Sequence, residues 1–233
     1  MAFISIALDG PAGVGKSTIA KSLAKKLEYI YIDTGAMYRA MAVLLLNQGI
    51  SKEDEAGICH AAEDADITIG YQPDGQHVYL NGTDVTDKLR TEEVSCMASA
   101  SSQYLPVRAK LTALQRALAA KENVIMDGRD IGTVVLPHAT LKIFLTADPA
   151  VRAKRRYDQL KEQGALGGAS LAEIEAEMRE RDTRDENRAN APLVQAADAV
   201  LVDSSALTAK EVEDRILSLL KERVNRSKER VNQ

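Results

Sequence analysis

The stretch Ile4-Ser-Ile-Ala-Leu-Asp-Gly10-Pro-Ala-Gly-Val-Gly-Lys16-Ser-Thr18 decides the fold. Residues 10–17 match GxxxxGK[ST], a pattern whose backbone N–H groups curl around phosphate oxygens. An apolar run over residues 3–8 predicts a buried strand before this loop, and apolar residues at helical spacing over 19–27 predict a helix after it. The sequence therefore predicts a nucleoside triphosphate site. Its residues would be Gly10, Pro11, Ala12, Gly13, Val14, Gly15, Lys16, Ser17 and Thr18.

The roles within this loop follow from charge and chemistry. Lys16 would bridge the β- and γ-phosphates, and the Ser17 hydroxyl would bind Mg²⁺. The start of the following helix adds partial positive charge. The loop predicts a nucleotide site without fixing a reaction, because switches, ATPases and small-molecule kinases all use it. No guanine-reading Asn-Lys-x-Asp is present, which argues against a GTPase.

A second predicted strand at residues 29–32 completes a strand–helix–strand unit, which is typical of a parallel sheet. Alternating apolar residues and turn residues over about 66–90 predict a small antiparallel insert. The fold class is therefore α/β. Further strands are predicted at 124–127, 141–145 and 199–203, and helices at 37–46, 53–65, 91–102, 107–120, 149–163, 170–186 and 208–223, with fraying expected over 221–233.

Composition excludes several classes of protein. The 233 residues carry 30 Lys+Arg and 34 Asp+Glu, a formal charge of −4, and contain no Trp and two Phe. Such a chain is a poor non-specific binder of nucleic acid and lacks a base-stacking platform. The longest apolar run, residues 40–46, is too short to span a membrane, and no signal peptide is expected. Neither Cys nor His residues show metal-ligand spacing, so we expect a cytoplasmic protein with reduced thiols.

Polar residues follow two of the predicted strands. Asp33-Thr34 and Arg39 come after the second strand, and Asp127-Gly-Arg129-Asp130 follows the strand at 124–127. Ligands bind at the carboxyl ends of such strands, where Arg39 would suit a second phosphate group and Asp127 would hold Mg²⁺ directly or through water. Two plainer interpretations remain open: a helix N-cap with a solvated arginine, and a surface ion pair.

Residues 152–188 contain seven Arg and two Lys. They could form two solvated helices with i,i+4 ion pairs. The preference for Arg instead favours a lid that closes over phosphates and stabilises charge on a transferring group. The arginines are Arg152, Arg155, Arg156, Arg179, Arg181, Arg184 and Arg188. The acids that cancel the charge of the cleft residues Lys16, Arg39, Arg129, Arg181 and Arg188 are expected largely elsewhere, as at residues 53–55 and 173–177.

Six motifs together resemble the bacterial cytidylate kinases with a long insert. They lie between residue 4 and about residue 203: IALDGPAGVGKST, IDTGAMYRA, DVTDKLRTEEVS, MDGRDIGTVVLP, LKIFLTAD and ERDTRDENRANAPL. The resemblance implies a single P-loop nucleoside monophosphate (NMP) kinase domain with a five-stranded parallel sheet. Its parts would be a core (1–34, 107–150 and 190–223), an NMP-binding region with the insert (about 35–106) and an Arg-rich lid (about 151–189). The basic tail after residue 223 is not part of the resemblance.

The resemblance also implies an activity, the ATP-dependent phosphorylation of CMP and dCMP with Mg²⁺ bound to ATP. It implies a cytoplasmic enzyme, expected to be a monomer, with no nucleic-acid or membrane partner. Thr34, Arg39 and Arg129 would hold the acceptor phosphate. Catalytic roles would fall to Lys16, Arg181 and Arg188, with Arg188 on the phosphates, and Arg155 would bind ATP.

By the same resemblance, Ser99, Arg108 and Asp130 would read cytosine, while Arg181 and Asp185 would reach the ribose. Base chemistry supports the first set, because a carboxylate can accept a hydrogen bond from the N4 amine of cytosine, whereas uracil presents an oxygen there. The alternatives are a UMP or broad pyrimidine kinase and, less favoured, a nucleotide switch that is not a kinase. Arg39 and Arg129 argue for a phosphate acceptor and so against the switch.

Overall fold

In the computed structural model, which describes residues 3–231, a five-stranded sheet has the order β2-β6-β1-β7-β8. Strand β1 lies parallel to β6 and β7, and β7 lies parallel to β8. A separate three-stranded sheet, β3-β4-β5, is antiparallel. The strands are β1 Ser5–Asp9, β2 Ile30–Asp33, β3 Ile67–Gln72, β4 Gly75–Leu80, β5 Thr83–Asp84, β6 Val124–Gly128, β7 Leu141–Thr146 and β8 Val200–Asp203.

Two compact units divide the described residues, one up to Ile30 and from Glu122 onward, the other Tyr31–Lys121. In the first, the central strands β1 and β6 are buried apolar runs, as in parallel sheets covered on both faces. Helix α1 packs on β6, and α8 packs on α1 and β7. The helices are α1 Lys16–Leu27, α2 Thr34–Asn47, α3 Glu55–Asp64, α4 Glu92–Ser101, α5 Leu105–Ala119, α6 Pro149–Glu162, α7 Leu171–Asn187 and α8 Ala209–Val231.

The second unit is built around α2, whose buried side chains include Met37, Met41 and Leu45. This helix packs against α3, α4 and α5 and against strands β3 and β4 of the small sheet. The predicted α/β class, parallel sheet and antiparallel insert are thus confirmed. Helix α5 falls within this unit, whereas the sequence assigned residues 107–119 to the core. The division into core, NMP-binding region and lid stays a prediction.

Several element bounds differ from the sequence predictions. Helix α2 begins at Thr34 rather than at residue 37, because the Asp33 carboxylate caps it. Helix α5 begins before Pro106, which is tolerated in a first helical turn. A 3₁₀ turn at Thr86–Arg90 and a π turn at Ile131–Val135 were not predicted.

The predicted end of the last helix at residue 223 is wrong. Helix α8 continues to Val231, and residues 232–233 lie outside the described part. Residues 221–226 contain good helix formers, with Glu222 and Arg226 at i,i+4 spacing for an ion pair. A basic tail can therefore extend a helix beyond the residues that pack on the sheet.

Candidate active site

The loop between β1 and α1 takes a backbone course that requires glycine. Gly10 has φ +146°, and a Cβ there would lie 2.0 Å from the carbonyl oxygen of Leu145. Gly15 has φ +94° and precedes the first residue of α1. Since side chains are disfavoured in this conformation, these two positions allow the loop to close around a ligand at the helix N-terminus.

Lys16 is buried at the base of this loop, with 6% of its surface exposed. Its Nζ donates to the carbonyl oxygens of Gly10 at 2.7 Å and Pro11 at 2.6 Å. Burial lowers the pKa of Lys16 well below its usual value, and the nearby charge of Arg129 lowers it further, against the opposing effect of the Asp127 carboxylate. A buried cation with an anionic neighbour is suited to receive a phosphate group.

The Ser17 hydroxyl and the Asp127 carboxylate, both predicted to bind Mg²⁺, lie in contact. Ser17 Oγ donates to Asp127 Oδ2 at 2.6 Å, and Asp127 is buried near the end of β6. Mg²⁺ prefers oxygen ligands and commonly combines one or two protein groups with phosphates and water, so this pair fits that ion. Among residues 3–231, no cluster of three or more His, Cys, Asp or Glu could hold a metal by itself.

Asp9 is a site residue that the sequence analysis missed. It ends β1, and its carboxylate accepts from the backbone N–H groups of Ile131 at 2.8 Å and Gly132 at 2.7 Å. Burial raises the pKa of Asp9 to about 6, although the two backbone hydrogen bonds oppose the shift. Asp9 thereby fixes the turn that follows Asp130. Its position in the sequence, between an apolar strand and Gly10, is the signal that could have identified Asp9.

The predicted substrate-binding arginines are paired with acids of the site itself. Arg129 Nε donates to Asp185 Oδ2 at 2.8 Å, and Arg188 Nη2 donates to Asp130 Oδ1 at 3.3 Å. Burial raises the pKa of Asp185, but the charges of Arg129, Arg181 and Arg188 outweigh that effect and hold it below its usual value. The expectation that offsetting acids lie mainly at 53–55 and 173–177 is therefore wrong, because the nearest partners are inside the cluster.

Arg181 belongs to the same cluster. Its charge lowers the pKa of both Lys16 and Asp185. Arg181 therefore influences one residue of the predicted ATP site and one of the predicted CMP site. By contrast, Arg179 and Arg184 pair with glutamates one turn earlier on the exposed face of α7. The arginines of this helix thus divide into the half-buried Arg181 and two solvated arginines that pair with glutamates.

A second missed group ties the phosphate loop to helices α6 and α7. Asp182 Oδ1 accepts from the Ala12 N–H at 3.1 Å, and Arg152 Nη1 donates to the Ala12 carbonyl at 3.0 Å. Arg152 and Asp182 also form an ion pair with each other, and both are buried. Both backbone polar groups of Ala12 are therefore held by one ion pair. Sequence spacing gives no direct signal for a contact between residues 170 positions apart.

Beside the loop lies a cavity of about 290 Å³. Thr18 and Arg155, both predicted to bind ATP, line it. Arg155 donates to the carbonyl oxygen of Ser204 at 2.7 Å and to its hydroxyl at 3.1 Å. The remaining walls are mainly apolar and are formed by Val14, Gly15, Ile19, Leu207, Ala209 and Val212, together with Ser204.

In the second unit, Asp33 organises the start of α2. Its carboxylate accepts from the Ala36 N–H at 2.9 Å and from Arg39 Nη2 at 3.1 Å. The N-cap interpretation of Asp33 is therefore correct, but Arg39 is held in place rather than freely solvated. Its Nε–H is buried without a hydrogen-bond partner among the described residues, and Thr34 beside it is also buried. An unsatisfied guanidinium N–H is suited to an anionic ligand.

The two remaining base-reading candidates lie close together. Arg108, on α5, is buried, and its Nη1 donates to the Ser102 carbonyl at 3.1 Å. The Ser102 hydroxyl donates to the carbonyl of Ser99 on α4 at 2.8 Å. The Arg108 guanidinium also lies 5.6 Å from the centre of the Tyr38 ring, within cation–π range. Ser102 thus links the two predicted residues.

Comparison with known proteins decides between the alternatives. The family model for cytidylate kinase matches residues 6–222. The chain belongs to the cytidylate kinase family. A cytidylate kinase of Solibacter usitatus (strain Ellin6076) is 47% identical over 97% of this chain and 96% of that protein. One from Caldicellulosiruptor saccharolyticus (strain ATCC 43494 / DSM 8903 / Tp8T 6331) is 50% identical over 93% of this chain and 95% of that protein.

One solved structure resembles this cytidylate kinase family member in its fold only. An uncharacterised protein from Eubacterium ventriosum ATCC 27560 superposes with a TM-score of 0.51 at 14% identity, covering 94% of this chain and 98% of the other. No helix of residues 3–231 is long and apolar enough to cross a membrane. The predicted family and phosphotransferase class are confirmed, and none of these matches favours the alternatives. The family match ends at residue 222, so the basic tail lies outside it.

Proposed function

We propose that this chain transfers the γ-phosphoryl group of ATP to the α-phosphate of CMP or dCMP, giving ADP and the cytidine diphosphate. The observation that carries the proposal is the convergence of Lys16, Ser17 and Asp127 at the phosphate loop of a cytidylate kinase family member. Action as a monomer in the cytoplasm stays a prediction from the sequence.

The ATP half of the site follows from the loop and its neighbouring cavity. The backbone N–H groups of residues 13–18 and the N-terminus of α1 bind the triphosphate. Lys16 exchanges its two carbonyl partners for phosphate oxygens, which restores a charged partner to a buried cation. The nucleoside occupies the apolar cavity, with Arg155 along its edge.

Magnesium would be held by the Ser17 hydroxyl and by Asp127, directly or through water. When bound, it would neutralise charge that develops on the phosphates during transfer. Asp127 also orients the Ser17 hydroxyl by accepting a hydrogen bond from it, so the two residues prepare the site for the ion.

The acceptor half combines phosphate contacts with base and sugar recognition. Thr34, Arg39 and Arg129 hold the acceptor phosphate, supported by the unsatisfied Nε–H of Arg39. Asp185 and Arg181 reach the ribose.

Cytosine is read by its hydrogen-bonding groups. Ser99 and Arg108 donate to O2 and N3, and Asp130 accepts from the N4 amine. In uracil an oxygen would face the Asp130 carboxylate where cytosine presents a donor, so two acceptors would oppose each other and the site would disfavour that base.

The chemistry requires positioning and charge stabilisation rather than proton abstraction. A nucleoside monophosphate already carries an anionic phosphate near neutral pH, so no general base is needed. Lys16, Arg181 and Arg188 stabilise charge on the transferring group. Arg188 is pre-oriented by Asp130 and by the Ala191 carbonyl, to which its Nε donates at 2.6 Å. Closure of the Arg-rich helices α6 and α7 would keep water from the phosphoryl group.

Phosphorus-31 NMR of the protein with ATP, Mg²⁺ and CMP tests the proposal. Equal amounts of ADP and CDP should appear, without inorganic phosphate. Arg188→Ala should slow transfer at least about 100-fold. Arg184→Ala, which removes an exposed arginine from the last turn of α7, just before Arg188, should not. Inorganic phosphate with unchanged CMP would favour a nucleotide switch, and a lower melting temperature with normal transfer in Arg188→Ala would make Arg188 structural.

A further inference from the structure

The side chain of Gln76, in the antiparallel insert, binds both backbone polar groups of Asp33. Its Oε1 accepts from the Asp33 N–H at 2.8 Å, and its Nε2 donates to the Asp33 carbonyl at 3.3 Å. One amide side chain thus completes the hydrogen bonding of a residue 43 positions away. The contact replaces the pairing that a neighbouring strand would provide at this point.

The fold of the insert delivers Gln76 to this place. Side chains of a strand alternate between its faces, so Gln76 shares a face of β4 with Val78 and Leu80, which are buried. Helix α2 packs against β4. Since apolar burial fixes the register of the strand, the polar side chain at its beginning has a fixed position too.

Asp33 in turn positions Arg39, a residue of the proposed acceptor-phosphate site. Its carboxylate caps α2 through Ala36 and binds Arg39 Nη2. Gly35 leaves room for this arrangement, because a Cβ there would lie 3.2 Å from both Arg39 Nη1 and Asp33 Oδ1. The direction of the Arg39 guanidinium therefore depends on the position of the Asp33 backbone, which Gln76 holds.

We propose that the insert positions the acceptor-phosphate site, with Gln76 as the positioning residue that acts through Asp33 on Arg39. The inference rests on the proposed function, since it assigns Arg39 to the phosphate of CMP. It gives the insert a definite role: the hairpin orients the start of α2 without touching substrate. Loss of the two hydrogen bonds loosens Asp33 and weakens binding of the acceptor, while the ATP half of the site is unaffected.

The test compares Gln76→Met, which keeps the length of the side chain without its hydrogen bonds, with Gln76→Ala and the wild type. Gln72→Ala is the matched control, because Gln72 is an exposed glutamine of the same hairpin that bonds only to the Tyr79 hydroxyl among the contacts described. The KM for CMP should rise about threefold to tenfold in both Gln76 variants. The KM for ATP should match the wild type, and the melting temperature should fall by only a few degrees, as expected for two lost hydrogen bonds. Every parameter of Gln72→Ala should match the wild type.

Hydrogen exchange provides a readout that is independent of catalysis. The Asp33 amide should exchange faster in Gln76→Met, because its acceptor is gone. If the wild type is active and folded Gln76→Met has an unchanged KM for CMP, the inference about Gln76 is overturned while the proposed function stands. An equal rise in the KM values for CMP and ATP has the same meaning. Unchanged exchange at Asp33 overturns its structural basis. A wild type that does not phosphorylate CMP overturns the proposed function instead.

Discussion

Ser17 Oγ and Asp127 Oδ2 lie 2.6 Å apart, so the end of β6 meets the first turn of α1 at a single hydrogen bond. The two residues are 110 positions apart in sequence. Their contact places a hydroxyl and a carboxylate beside the buried Lys16 ammonium, in the arrangement that a magnesium-bound triphosphate requires. The end of β6 and the phosphate loop are therefore joined at the two side chains that we propose as magnesium ligands.

Lys16→Ala should lower kcat by at least about 100-fold, because it removes the cation that stabilises charge on the transferring phosphoryl group. Steady-state rates of ADP release with ATP and CMP measure the effect. Lys25→Ala, an exposed lysine on the same helix, is the control and should behave like the wild type. Near-normal turnover in Lys16→Ala would remove the lysine from the mechanism.

Asp182→Asn should both destabilise the protein and weaken ATP binding. The buried Arg152 guanidinium would lose its charged partner, at a cost of about 3 to 5 kcal/mol in the free energy of unfolding. The Ala12 N–H would also lose its carboxylate acceptor, so the KM for ATP should rise. Urea unfolding and steady-state kinetics measure the two effects.

The paired variant Arg152→Met/Asp182→Leu separates these effects. Replacing both charges by apolar side chains should recover much of the stability, since a buried ion pair is often no better than an apolar pair. The KM for ATP should stay raised because Ala12 remains unheld. If ATP affinity recovers together with stability, the pair serves only to stabilise the fold.

Asp130→Ala should reduce the preference for CMP over UMP, because it removes the acceptor for the N4 amine of cytosine. We expect the kcat/KM for CMP divided by the kcat/KM for UMP to fall by roughly 5- to 150-fold, which corresponds to about 1 to 3 kcal/mol of lost discrimination. Asp158→Ala, which removes an exposed carboxylate from α6, is the control. An unchanged ratio would show that another group reads the base.

The stability of the insert should depend on pH because His77 titrates. Hydrogen bonds to Asp84 and Asp74 raise the pKa of His77 above its usual 6.5. Because the folded value exceeds the unfolded one, this cluster stabilises the hairpin fully below about pH 6.5, and the contribution is lost as pH rises through the raised pKa. Asp84→Asn should lower the pKa of His77 in an NMR titration and flatten this dependence. A titration that Asp84→Asn does not move would contradict the assignment.

Much of the fold could be predicted because its signals are local. The phosphate loop, the apolar strands and the hairpin follow from residue spacing, and the family motifs place the site residues along the chain. Asp9, Asp182 and Gln76 could not be predicted in this way, because each acts on backbone groups that only the folded chain brings near. A side-chain carboxylate or amide that hydrogen-bonds to a distant backbone group produces no recognisable spacing in a single sequence.

Initial rates of phosphoryl transfer from ATP to CMP, dCMP, UMP and AMP, measured under identical conditions, test the central claim most directly. The account predicts rapid transfer to CMP and dCMP, with UMP far behind and AMP inactive. Equal rates on UMP and CMP, or ATP hydrolysis that no monophosphate stimulates, would contradict it.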